Sequence, residues 1–109
     1  MNKIPATLIP GDGIGPEIVE ATLKVLDVLE APFDWEQQLA GVAAETASGN
    51  PLPQDTIDSI RKNKLALKGP LTTPVGSGFR SINVRLREEF NLFANVRPAR
   101  SFLLGGRFE

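Results

Sequence analysis

The sequence predicts an α/β fold, a mostly parallel sheet with helices packed on it, and three observations carry that prediction. Strand-like and helix-like segments alternate as β-α-β-α-β-loop-α-β, the order that builds parallel pairings with crossover helices. A glycine-dense turn, Gly11 to Gly15, joins the first strand to the first helix. A long polar loop follows a brief apolar segment at Lys68, the end of a strand where open α/β sheets receive ligands.

Each element has a local reason. Lys3 to Ile9 is apolar, rich in β-formers and stopped by Pro10, so it reads as a strand. The turn Gly11-Asp12-Gly13-Ile14-Gly15 calls for positive φ at glycine, and Pro16 then suits the first helical position. Glu17 and Glu20 favour the positive end of the helix dipole. Ile18, Ala21, Thr22, Val25 and Leu29 recur at helical spacing and predict one apolar, core-facing stripe, ended by Ala31-Pro32. Phe33 to Leu39 reads as a second strand, and Gly41 to Pro53, small and polar, as mostly loop. Gln54 to Asn63 reads as a short helix through Ile57 and Ile60, and Lys64 to Lys68 as a brief strand. Gly69 to Gly78 must be loop, Asn83 to Phe90 reads as a helix, and Leu92 to Arg97 alternates as a strand stopped by Pro98.

Composition narrows the chemistry. The 109 residues include no cysteine and no histidine, which excludes a disulfide framework, a thiolate metal site and the commonest general base. No apolar run approaches the roughly 20 residues of a membrane span. Met1 to Pro5 does not resemble a signal peptide, so a cytoplasmic setting is the expectation. The net charge of −1 hides an asymmetry: residues 1–60 carry ten acids and two bases, residues 61–109 three acids and ten bases. Six of the seven arginines lie between Arg80 and Arg107. Either they face an anionic ligand or they pair with carboxylates of the first half. No nucleic-acid motif accompanies the basic stretch, so no nucleic-acid partner is expected.

Two loops bear on function. In Gly11 to Gly15 the glycines fall at positions 1, 3 and 5, not at 1, 3 and 6, and no Gly-Lys-Ser/Thr follows. The Rossmann and P-loop phosphate fingerprints are therefore absent. That leaves a strand-to-helix turn or the lining of a ligand cleft. The stretch Lys68 to Arg87 concentrates hydroxyls, amides and guanidiniums. Asn83 and Arg87, four apart, share one helix face, and Arg97 follows one short unit later. Two guanidiniums converging on one place would suit a polycarboxylate; a solvated basic helix is the alternative.

Gly11-Asp12-Gly13-Ile14-Gly15-Pro16-Glu17, the stretch Lys68 to Arg87, and Leu92-Phe93-Ala94-Asn95-Val96-Arg97-Pro98 resemble the isocitrate/isopropylmalate dehydrogenase family, in family order and spacing. Ser81-Ile82-Asn83 followed by Arg87 is similar to the isocitrate branch, where isopropylmalate enzymes place apolar residues. The resemblance implies that Ser81, Asn83, Arg87 and Arg97 bind isocitrate. It implies that Leu71, Thr73 and Asn83 meet the nicotinamide end of NAD or NADP, and that Lys68 lines the site. It also implies a homodimer, and oxidation followed by decarboxylation with Mg²⁺ or Mn²⁺, whose ligands, like the catalytic tyrosine and lysine, lie further along the family's chain. The 109 residues then correspond to an N-terminal portion, with 1–100 in the family's large α/β domain and 101–109 starting the crossover toward a small domain. A sibling dehydrogenase acting on isopropylmalate, homoisocitrate or tartrate, and a non-catalytic regulatory or binding module of the same fold, are the alternatives.

Overall fold

The structure, a computed structural model, describes residues 2–73 and 80–105. Three strands, β1 (Ile4–Ile9), β2 (Phe33–Gln37) and β3 (Ala66–Lys68), form one parallel sheet in the order β2-β1-β3. Ile4 to Leu8 pair with Phe33 to Gln37 on one side of β1, and Thr7 to Ile9 with Ala66 to Lys68 on the other. Ala6, Thr7, Leu8 and Ile9 are all buried, so both faces of β1 are covered at its C-terminal half. That is the state of a parallel strand enclosed by crossover elements.

Four helices complete the architecture: α1 (Gly15–Val28), α2 (Val42–Ser48), α3 (Gln54–Asn63) and α4 (Ile82–Glu89). Successive strand residues point to opposite faces, so Thr7 and Ile9 share a face. On that face Ile9 joins Ala40, Leu52, Ile57, Ile82 and Leu86 in the core, which seats α3 and α4 against the sheet. Thr7 and Ser59 of α3 are hydrogen-bonded through their hydroxyls at 2.7 Å, and Asn63 Nδ2 donates to Thr7 Oγ1 at 3.0 Å. These contacts satisfy hydroxyls that burial would otherwise penalise.

The predicted elements recur with three differences. First, Val42–Ser48 is a helix where the sequence reads as loop. Its alanines favour helix, and its amino end is capped from a distance, by Asp12, whose carboxylate accepts from the amides of Val42 and Ala43 at 3.0 Å each. Second, the predicted stripe of α1 faces outward: Ile18, Val25 and Leu29 are exposed, while Gly15 and Val19 are buried. Leu23 and Leu26, half-buried, lie on the inner side with Val19, so the helix is turned from the expected orientation. Third, Leu92 to Arg97 forms no strand, and every residue from 91 to 100 is exposed. A strand needs a neighbour to satisfy its amides, and this segment pairs with none of the three strands.

Smaller shifts have simple causes. The brief strand begins at Ala66 rather than Lys64, because Lys64 caps α3 in the left-handed region at φ 62°. Part of the long loop, residues 74–79, and the end of the expected crossover, residues 106–109, lie outside the described residues. No helix among the described residues is long and apolar enough to cross a membrane.

Candidate functional site

The C-terminal ends of β1 and β3 lie side by side, and the loops leaving them are bound together. Gly69 donates its amide to Ile9 O at 2.8 Å, and Asp12 donates its amide to Pro70 O at 2.7 Å. In return the Asp12 carboxylate accepts from the amide of Thr72 at 2.8 Å. Gly11 holds φ +87°, and a Cβ there would run into the Pro70 carbonyl oxygen. The glycine-dense turn thus serves both as a positive-φ turn and as a seat for the second loop.

Beyond this seat the chain runs toward α4. Leu71 packs, partly buried, against the core cluster. Thr73 Oγ1 accepts from the amide of Ile82 at 3.2 Å, tying the loop to the first residue of α4. Ser81 is the N-cap of α4, exposed, with its hydroxyl 3.5 Å from the Val84 amide. Ile82 is fully buried and anchors the helix in the core.

Lys68, Asn83 and Arg87 line one cavity of about 670 Å³. Its walls are otherwise mostly apolar and include Ile9, Ile60, Leu65, Leu86 and Phe90. The Asn83 Oδ1 atom is buried without a hydrogen-bond partner among the described residues. Lys68 Nζ donates to Gly69 O at 3.0 Å. Desolvation pushes the Lys68 ammonium below the ordinary lysine range, and the positive charge of Arg87 adds to that push. Arg61 and Lys64 also line the cavity, so four cations face one space, which favours an anion; Asn83 Oδ1 is an acceptor, and the amide would offer its NH₂ to such an anion after turning over.

The charge asymmetry resolves only in part into internal ion pairs. Among the described residues Arg61 pairs with Glu89 and Arg80 with Glu88, both at 2.8 Å and both within the basic half. Lys62 with Glu36, at 2.7 Å, is the pair that joins the two halves. Arg85, Arg87, Arg97 and Arg100 have no ion pair among the described residues. Arg97 does not join Arg87 in the cavity: it sits on the exposed segment, its Nε 3.4 Å from Asn95 Oδ1. Among the described residues no three carboxylate, histidine or cysteine side chains cluster to hold a metal ion.

Sequence reasoning missed Asp12. Its role depends on partners 30 and 60 residues away, and no local spacing reveals them. Gly41 was a faint signal, since only a residue without Cβ leaves room for the Asp12 carboxylate at that point.

A family model for isocitrate/isopropylmalate dehydrogenase matches residues 5–106. The chain belongs to this family. Within it, an isocitrate dehydrogenase [NADP] of Thermus thermophilus is 58% identical over 99 residues, 88% of this chain and 20% of the relative. A chloroplastic 3-isopropylmalate dehydrogenase of Solanum tuberosum is 48% identical over 100 residues, 92% of this chain and 28% of the relative. The crystal structure of isocitrate dehydrogenase from Methylococcus capsulatus superposes with a TM-score of 0.86 at 57% identity, covering 94% of this chain and 30% of that one. The chain therefore spans between a fifth and a third of the length of these family members. Its three-stranded parallel sheet with flanking helices is a piece of the dehydrogenase fold.

Proposed function

We propose that this chain supplies the substrate floor and the nicotinamide-side lip of an oxidoreductase that converts isocitrate to 2-oxoglutarate while reducing NAD or NADP. The observation that carries the reading is the cavity shared by Lys68, Asn83 and Arg87, with Asn83 Oδ1 unpartnered and Arg87 without an ion pair among the described residues. Isocitrate carries three carboxylates, and a cationic, hydrogen-bonding set of this kind favours a carboxylate over an alkyl group in the same place. In this reading Ser81, Asn83, Arg87 and Arg97 hold the carboxylates. Arg97 reaches the site when the segment bearing it takes its place in a sheet. Leu71, Thr73 and Asn83 face the nicotinamide, and Lys68 lines the floor.

The residues here bind and orient. Arg87 offers a planar fork to a carboxylate and offsets its charge. Orientation brings the hydroxyl-bearing carbon toward the nicotinamide so that hydride can transfer, after which the β-keto acid loses carbon dioxide. A divalent cation, Mg²⁺ or Mn²⁺, would supply Lewis-acid polarisation in the whole enzyme. Among the described residues no cluster of side chains fits such a cation. A homodimer in the cytoplasm is part of the same proposal.

The Solanum relative favours a second reading, in which the substrate is isopropylmalate. Steady-state assays of the whole dehydrogenase carrying this sequence decide between them. The expected result is reduction of NAD or NADP with isocitrate at a kcat/KM about a hundredfold or more above that with isopropylmalate, homoisocitrate or tartrate, on the order expected for a site that hydrogen-bonds a substrate carboxylate. Preference for isopropylmalate would overturn the assignment. An inactive protein that activates a catalytic subunit would identify a regulatory member.

A further inference from the structure

We propose that Asp12 is a positioning residue for the ligand site, acting through the backbone of the loop that carries Leu71 and Thr73. The geometry of the pin stands by itself; its consequence for turnover rests on the function proposed above. Every polar group of Asp12 is engaged. Its amide donates to Pro70 O at 2.7 Å, and its carbonyl accepts from the Gly15 amide at 2.8 Å. Its carboxylate accepts three amides: Val42 and Thr72 on Oδ2 at 3.0 and 2.8 Å, and Ala43 on Oδ1 at 3.0 Å. Oδ2 thus bridges the start of α2 and the ligand loop, so neither can shift without the other.

The bridge is relayed to α4. One residue after Thr72, the Thr73 hydroxyl accepts from the Ile82 amide at 3.2 Å, and Ile82 is locked in the core. Asn83 and Arg87 project from that same helix into the cavity. A chain of short contacts therefore runs from Asp12 through the loop to the two side chains that face the anion. The surroundings are cut to fit the carboxylate. Gly41 lies at φ +79°, and a Cβ there would collide with Asp12 Oδ2. Glutamate would overreach the same three amides. With three donors already on its two oxygens, the carboxylate is occupied as a structural acceptor rather than free as a general base.

The test uses the whole dehydrogenase carrying this sequence and two readouts, amide hydrogen exchange and steady-state kinetics. Asp12→Ala should deprotect the Thr72 amide and raise the KM for isocitrate about tenfold or more, since small misplacements of binding groups cost rate steeply. Asp12→Asn should fall between, because its oxygen can still bridge Val42 and Thr72 while its NH₂ opposes the Ala43 amide. Val42→Pro removes only the Val42 donor, at the first helical position, where proline is tolerated. It should leave Thr72 protected and KM within twofold of wild type. The proposal is overturned if Thr72 exchanges unchanged in Asp12→Ala, or if Val42→Pro raises KM as much as Asp12→Ala does. Should Asp12→Ala fail to fold, Asp12→Ser, whose hydroxyl is too short to bridge Val42 and Thr72, carries the same two comparisons. A wild-type enzyme inert toward isocitrate would refute the substrate assignment, while the exchange pattern would still decide for or against the pin.

Discussion

The carboxylate of Asp12 and the backbone amide of Thr72 lie 60 residues apart in the chain and 2.8 Å apart in space. This bond makes the glycine-dense turn and the loop after β3 a single structural unit. It also shows how the turn can border a ligand site without binding phosphate: its one acidic side chain is directed at protein amides, not at a cofactor.

Arg87→Lys in the whole enzyme should lower kcat/KM for isocitrate by about thirtyfold or more, the equivalent of about 2–4 kcal/mol of transition-state binding. Lysine keeps the charge but loses the bidentate fork. Steady-state kinetics check this, and a change within twofold would remove Arg87 from the substrate ligands.

Ser81→Asp should leave the fold intact and weaken isocitrate binding steeply. Ser81 is exposed at the N-cap of α4, where aspartate is an accepted cap, so any loss reflects charge facing charge rather than a damaged helix. A phosphate on Ser81 would act in the same direction with more charge. Calorimetric titration with isocitrate, alongside a thermal melt, separates the two effects; unchanged affinity would refute the placement.

Lys68 should give stability a pH dependence. Its folded-state value is lowered from the ordinary 10.5, so between that lowered value and 10.5 the unfolded chain binds more protons than the folded one. Stability therefore rises as pH rises through that window, and the cost of the desolvated ammonium is fully present below it. Melting temperatures of wild type and Lys68→Gln should converge or cross in favour of wild type as pH climbs from neutral toward 10.5. A constant gap would contradict this. Isocitrate, by placing negative charge beside Lys68 and Arg87, should lift the lysine back and take up protons on binding in alkaline buffer.

The 109-residue chain by itself should not oxidise isocitrate and should associate with itself. It contains no histidine and no tyrosine for proton transfer, and no metal-binding cluster among the described residues. Phe93 and Phe102 are 100% and 94% exposed, and the outer edges of β2 and β3 are unpaired among the described residues. Open edges and bare aromatics promote self-association. Light scattering coupled to gel filtration should show species larger than 11.8 kDa; a monomer with a sharp, cooperative melt would count against it.

What the sequence made legible follows the range of the forces involved. The helix Gln54–Asn63 has the predicted bounds because its signals are local: apolar spacing at Ile57 and Ile60, and Arg61 and Lys62 in its last turn. The helix Val42–Ser48 was missed because its cap comes from Asp12, across 30 residues. The stripe on α1 was assigned to the core by periodicity, yet the sheet takes the side bearing Val19 and leaves Ile18 and Val25 outside. Periodicity shows that a face is apolar, not which partner covers it. Spacing puts Asn83 and Arg87 on one helix face, the family resemblance adds Lys68, and the three line one cavity. Arg97 was expected beside them, but its segment, lacking a strand partner, stays away.

The central position of β1 has a consequence for biosynthesis. It is synthesised before both of its neighbours, which end at Gln37 and Lys68. At typical elongation rates of about 5–20 residues per second, several seconds separate its emergence from the completion of β3. Throughout that interval Ala-Thr-Leu-Ile, an unbroken buried run among the described residues, has no complete place to dock. The nascent chain should therefore depend on chaperone holding until α3 and β3 arrive, and synonymous codons that slow translation before Lys68 should lengthen that exposure.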